Sequence, residues 1–433
     1  MIAPDPAVEA DHEAPGPPGT TTLSAPISAA RARLLSVFMI LVAGAIFFAA
    51  LTPPIISLSI RVFGLDPEGK TLGLSTILLV GSVLAVLGSP FFGTLSDRTR
   101  GRFGRRRPWL VAGGSLMLLG GIITGTAPNL ATVAVGWAIA QLGFSATISS
   151  FFALIPDLIP DRLRGRVSGG IGMVTSLVVL GGITFASQNV TNAIVLMTAP
   201  SIVSFIAIIG LVLYIGRRDA SPVDLPMNRY GITEFLGSFV INPLKNHDFA
   251  WNWISRFLLG ISMVGLQTYA TYFLIDAVGF DVQGAASHYA TVTAISTPIS
   301  IVCFLASGWL SDKLGRRKVF VIAAAIVCGV GFVVASISPT ATGFLIAFLV
   351  LTVGQSFYLT VDVAIAAAVI PDHSQAAKAM GVYQVSTTAP GLIVPIIGAA
   401  VLTTSAAYVP FFIFLAAAAL LAAVTILFVR RVR

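Results

Sequence analysis

Of the 18 acidic residues, all but one fall in stretches that read as tails, loops or helix ends. The exception is Asp362, nine residues before Pro371 in a long apolar run. At 1.5 Å per helical residue it lies roughly 13 Å from the end of that run. A carboxylate at such depth needs a partner or a proton, and the chemistry open to it is reversible proton uptake. Arg256 is the only basic residue inside an apolar run, a turn or two in from the same end of its own segment. If the two segments are neighbours, the charges meet at similar depth. Asp362 would then take and release a proton while Arg256, or a bound solute, competes for its carboxylate. The alternatives are a permanent structural ion pair, or an arginine that reaches for the interface.

Segments long enough to bury these charges must be membrane helices. The chain is 56% hydrophobic and 10% charged, with mean hydropathy +0.92, whereas a soluble domain carries about 25% charge. Each span needs about 20 apolar residues, so 433 residues hold about twelve. The net charge of +8 does not point to nucleic acid. Under a twelve-span topology every basic residue except Arg61, Lys70 and Arg256 falls on one face, which is the bias of cytoplasmic loops. Both termini then lie in the cytoplasm, and the plasma membrane is the expected location. Cys303 and Cys328 sit in separate apolar runs and read as packing residues, with no disulfide framework. The four histidines fall in the tail, loops or helix ends and form no metal site. No cofactor is implied.

Residues 93 to 109 read GTLSDRTRGRFGRRRPW, with Asp97 opening a cluster of six arginines. This must be an aqueous hairpin between two spans. Its core returns at Gly308 to Lys318 as GWLSDKLGRRK, with Asp97 and Asp312 215 residues apart. Ile155-Pro156-Asp157 and Ile370-Pro371-Asp372 repeat at the same offset. The chain is a duplicated membrane unit.

The expected organisation is a disordered, acidic tail over 1–30, a bundle over 31–216, a central cytoplasmic loop over 217–248 and a second bundle over 249–433. The tail lacks the basic start and early apolar core of a secretory signal. Adjacent prolines Pro53 and Pro54 should bend the first span, for packing or to line a cavity. The glycines at 165, 169, 170 and 172 should allow close helix contact. Gly64 to Thr71, GLDPEGKT, matches a phosphate-binding loop letter for letter. It joins two spans instead of following a β-strand, so the match is read as chance.

The paired G-x-L-S-D…G-R-R hairpins resemble the signature loops of the major facilitator superfamily, over residues 34 to 430. The longer first copy, ending in Arg-Pro-Trp, is similar to the glycoside–pentoside–hexuronide transporters and the related sucrose-type proton–sugar carriers. The resemblance implies an all-α membrane protein with twelve transmembrane helices in two pseudo-symmetric six-helix bundles and alternating access to a central cavity. It also implies a gating latch, which carries over to Asp97, Arg98, Arg105, Asp312 and Arg316. The null alternative is that these charges only orient the protein in the membrane. Melibiose-type members hold sodium with acidic residues on the second span. That span has none here, so sodium coupling by that route is not expected.

A solute site needs a few polar groups in an apolar cavity. Gln141, Gln267, Tyr269, Tyr272, Gln355, Tyr358 and Gln384 supply amides and phenols suited to a hydroxyl-rich small-molecule substrate. With 28 phenylalanines in the chain, the same set suits an amphiphilic drug. The leading expectation is a proton-coupled sugar or glycoside transporter, a monomer in the lipid bilayer. A proton-driven exporter of drugs or natural products is the alternative. A non-transporting receptor would have no need of two intact hairpins. An enzyme is disfavoured because no nucleophile–base set or metal cluster occurs in the loops.

Overall fold

The computed structural model describes residues 29–99, 103–216, 246–314, 317–369, 382–383, 385–402 and 404–429. The tail over 1–28, most of the central loop, Gln384, Arg316 and Ile370 to Asp372 lie outside them, and the side chain of Asp312 is likewise not described. Among the described residues, eleven helices are long and apolar enough to cross a membrane. They are α1 (Ala32–Leu65), α2 (Lys70–Arg98), α3 (Arg107–Thr126), α4 (Leu130–Leu158), α5 (Asp161–Gln188) and α6 (Ala193–Ile215) in the first half. The second half holds α7 (His247–Asp276), α8 (Val282–Leu314), α9 (Arg317–Ile337), α10 (Ala341–Val369) and α12 (Tyr408–Leu427). A shorter apolar helix, α11 (Val385–Val401), completes the twelve. Most are apolar all round, as helices are when lipid or other helices cover every face.

The loops opposite the hairpins are short and capped by side chains. Asn129 accepts from the Thr132 amide at 2.9 Å to start α4, and Asn192 from the Val195 amide at 3.1 Å to start α6. Asp66 accepts from the Gly69 amide at 2.8 Å and Asp281 from the Gly284 amide at 2.9 Å. These two turns are 215 residues apart, in Gly64-Leu65-Asp66 and Gly279-Phe280-Asp281. The phosphate-loop lookalike is therefore one copy of a duplicated aspartate turn, G-x-D-x-x-G, that leads into α2 and caps α8.

Packing repeats between the halves. Helix α4 lies against α2 and α3, and α10 lies against α8 and α9; α3 meets α6 as α9 meets α12. The closest approach is α3 to α4. A Cβ on Gly120 would lie 2.5 Å from the Gly136 carbonyl, and one on Gly143 would lie 2.6 Å from the Gly113 carbonyl. Small residues let helix backbones touch where lipid supplies no hydrophobic push. Gly120→Ala should therefore cost about 1–3 kcal/mol by overpacking, read as a lower midpoint of thermal unfolding in detergent. The α5 glycines differ from expectation. Of the four at 165–172, only Gly170 is pressed on a neighbour, the Ile40 side chain, while Gly165, Gly169 and Gly172 face open space; further along, Gly182 meets Thr52 of α1. The prolines of α1 do not break it: the helix widens by one π-type turn at Pro53–Ser57 and continues.

Two cores form. One gathers the hairpin-facing ends of α1, α3, α4, α5 and α6 around Met39, Phe151 and Leu211. The other joins the far-face ends of the first half, including Ile56, Leu78 and Trp137, to the whole second half. The halves thus share one core on the face opposite the hairpins.

Candidate functional site

Asp362 on α10 is 2% exposed, and its carboxylate oxygen Oδ2 is ion-paired with Arg256 of α7. Oδ1 accepts from Tyr358 at 3.0 Å and from Tyr383 at 2.6 Å. Arg256 donates to the Tyr383 hydroxyl at 2.5 Å and, through Nε, to Thr387 Oγ1 at 3.0 Å. Its guanidinium lies over the Tyr383 ring, 4.2 Å from the centroid. Tyr383 and Thr387 come from the start of the α11 segment, which is fixed to α7 by a bond from Trp253 Nε1 to the Val382 carbonyl at 2.9 Å. Gly260 of α7 lets Pro390 of α11 approach, since a Cβ there would sit 2.8 Å from the ring. One turn before Arg256, Asn252 is 3% exposed, and its Nδ2 has no hydrogen-bond partner among the described residues.

The site is a buried ion pair clamped by two phenols, with the Asn252 amide beside it. Its charges balance only while Asp362 is ionised. Protonation would leave an arginine without a counter-charge in a low dielectric, which is costly unless another acceptor arrives. The first half has no equivalent: Thr147 stands 215 residues before Asp362, tight against Gly113.

The remaining solute candidates spread along the helices. Gln141, Gln267 and Gln355 are half-buried on α4, α7 and α10. By helical rise Gln355 lies about 10 Å and Gln267 about 16 Å from the levels of Asp362 and Arg256, towards the far face. Tyr358 belongs to the carboxylate. Tyr269 and Tyr272 differ from expectation, because their hydroxyls are spent between the halves. Tyr269 shares a hydrogen bond with Ser75 of α2 at 2.6 Å, and Tyr272 donates to the Ser59 carbonyl of α1 at 3.1 Å. Beside them Lys70 of α2 is ion-paired with Asp276 of α7. Tyr408 donates to the other oxygen of Asp276 at 3.0 Å, and Lys70 lies over the rings of Phe63 and Tyr272. Gln283 of α8 reaches the Ser187 carbonyl of α5 at 2.8 Å. These bonds between the halves lie near the face opposite the hairpins.

On the hairpin face the first signature loop forms a charge cluster around Arg106. Arg106 is 6% exposed. It pairs with Asp97 at 2.6 Å and with Asp157 at 3.4 Å, and it donates to Ser96 at 3.2 Å. Arg105 pairs with Asp157 at 2.9 Å, whereas Arg98 is exposed. The hairpin and the Ile-Pro-Asp motif, which repeat at one offset, are two parts of one cluster. Removing a partner from a buried network costs far more than removing an exposed charge. Arg106→Gln should lower stability by about 3 kcal/mol, and Arg98→Gln by less than about 0.5 kcal/mol, compared by thermal unfolding of the two variants.

The profile of the Major Facilitator Superfamily matches residues 33–303 and 289–433, nearly the whole chain. The chain belongs to the major facilitator superfamily. That places it among multi-pass membrane transporters and apart from enzymes. A raffinose carrier protein of Pediococcus pentosaceus is 21% identical over 271 residues, 56% of this chain and 40% of that protein. An uncharacterized symporter of Synechocystis sp. is 37% identical over 68 residues, 16% of this chain and 12% of that protein. The aligned regions thus span less than half the length of these curated relatives. Among solved structures, a nucleoside transporter superposes with a TM-score of 0.71 at 14% identity, covering 91% of this chain and 99% of its own. A POT family transporter, in complex with a thioalcohol-conjugated peptide, superposes at 0.68 with 13% identity, over 91% and 95%. At such identities the superpositions speak for the twelve-helix fold alone.

Proposed function

We propose that this transporter is a proton-coupled symporter of a hydroxyl-rich solute of the sugar or glycoside class, working by alternating access. The observation that carries the reading is the buried Asp362–Arg256 pair, held by Tyr358 and Tyr383. With Asp362 ionised and the site empty, the pair is neutral and the protein can reorient. With Asp362 protonated and the site empty, Arg256 is stranded and reorientation is disfavoured. A solute whose hydroxyl or ring oxygens accept from Arg256 and Asn252 replaces the carboxylate as hydrogen-bond acceptor and lowers the cost of the stranded guanidinium, so proton and solute cross together. Only the empty, ionised carrier and the carrier holding both proton and solute reorient readily, which is the requirement for coupling.

The solute would lie between this pair and the far-face closure, against Gln141, Gln267 and Gln355, and Gln384 remains a candidate from its place on the α11 segment. Lipophilic cations gain nothing from an arginine, which weighs against a drug exporter. The likeness to a raffinose carrier and to symporters supports the same direction. The hairpin face is assigned to the cytoplasm and the protein to the plasma membrane, as a monomer of two bundles over 31–216 and 249–433. Asp97, Arg105 and Arg106 would latch the first bundle on that face, with Asp312 and Arg316 as counterparts in the second.

The substrate class is tested by uptake of radiolabelled mono-, di- and trisaccharides and one lipophilic cation into proteoliposomes with an imposed inward proton gradient. Saturable uptake of a saccharide is expected. Gradient-driven transport of the cation alone would overturn the reading.

A further inference from the structure

Three arginines meet at the hairpin face, away from the signature loop. Arg33 near the start of α1 and Arg162 and Arg166 in the first two turns of α5 line a cavity of about 200 Å³, with Leu163. The fourth arginine of this stretch is committed elsewhere: Arg164 donates to the carbonyls of Pro156 and Ile159 at 2.8 and 3.0 Å, capping α4. Arg33, Arg162 and Arg166 have no ion pair among the described residues. Three like charges facing one concavity repel unless an anion sits between them. The positive end of α5 adds to the same field.

What lies beside the cavity identifies the anion. Leu34, Val37 and Leu41 follow Arg33 at helical spacing and are 59%, 54% and 60% exposed. They form a stripe on the side of α1 turned away from the buried Leu35, Met39 and Val42. The stripe lies between the contact of Ile40 and Gly44 with α5 and the contact of Phe38 with Tyr214 of α6. An apolar stripe on the outside of a membrane bundle faces acyl chains. A free phosphate has no use for it, whereas a lipid fills both parts.

We propose that Arg33, Arg162 and Arg166 form a binding site for the phosphodiester headgroup of an anionic phospholipid in the leaflet on the hairpin face, its chain lying along Leu34, Val37 and Leu41. Such a lipid would bridge α1 and α5 at their ends.

Native mass spectrometry of the full-length protein, exchanged into detergent doped with phosphatidylglycerol or phosphatidylcholine, tests the site. The wild type should retain phosphatidylglycerol in preference to phosphatidylcholine. The triple variant Arg33→Gln, Arg162→Gln, Arg166→Gln should lose that retention by roughly tenfold or more, since each basic residue adds to anionic-lipid affinity. The triple variant Arg430→Gln, Arg431→Gln, Arg433→Gln removes equal charge elsewhere and should keep it. Equal elution volume and unfolding temperature in phosphatidylcholine certify the fold of each variant. Equal losses in both triples would reduce the effect to diffuse charge and overturn the proposal. So would displacement of the lipid by inorganic phosphate at equal concentration, which would make the site one for a free anion.

Discussion

Asp362→Asn is expected to abolish proton-driven accumulation while leaving solute exchange across the membrane in place. The asparagine still accepts from Tyr358 and Tyr383, so the local scaffold of α10 and α11 persists. What is lost is the charge that alternates. Arg256 is then permanently without a counter-ion, at 14% side-chain exposure. Only the solute-loaded carrier reorients readily, and a carrier that returns only when loaded exchanges but does not concentrate. Breaking a buried pair from one side costs about 3–5 kcal/mol, so the variant should also unfold at lower temperature. The double variant Asp362→Asn, Arg256→Gln removes both charges and should recover part of that stability, a positive coupling in a double-mutant cycle. Full gradient-driven accumulation by Asp362→Asn would mean that the proton travels elsewhere.

The second large effect is expected at the opposite end. Lys70 and Asp276 join α2 to α7, with Tyr408 holding the free carboxylate oxygen. Opening the far face must break this contact, together with Ser75–Tyr269 and Tyr272–Ser59. Lys70→Ala should therefore weaken one closed state by about 1–2 kcal/mol, raising the population open to the far face by roughly 5- to 30-fold. The observable is maleimide labelling of Ser75→Cys, which the closure covers in the wild type. The exchanged pair Lys70→Asp, Asp276→Lys should return labelling towards the wild-type level. If Lys70→Ala and the exchanged pair label alike, the charge contact plays no part in closure.

The twelve-helix fold was legible because membrane spans are written in composition, and the duplication because Asp97, Asp312 and the two Ile-Pro-Asp motifs share one offset. The depth of Asp362 was legible for the same reason, since a charge in an apolar run has few places to go. Other features depended on direction, which spacing does not give. Six arginines of one type in ten residues cannot be ranked from sequence, and burial alone separates Arg106 from Arg98. Tyr269 and Tyr272 look like any cavity phenols until α2 and α1 are placed against them. They stand three residues apart on one face of α7, and their hydroxyls reach Ser75 and the Ser59 carbonyl. Of the glycines at 165, 169, 170 and 172 only Gly170 meets a neighbour, on α1, and the backbone-to-backbone approach is made by α3 and α4, because small residues permit an approach without requiring it. The turn G-x-D-x-x-G was in plain view at the repeat offset, hidden by its likeness to a phosphate loop.

The central claim is that solute and proton cross together through Asp362. Its most direct test is the internal pH of proteoliposomes carrying a trapped dye, with no gradient imposed, when a transported saccharide is added outside. The account predicts that the lumen acidifies in step with saccharide entry for the wild type. It predicts no acidification for Asp362→Asn vesicles that still exchange the sugar. Saccharide entry with no pH change in the wild type, or unchanged acidification in Asp362→Asn, would contradict it.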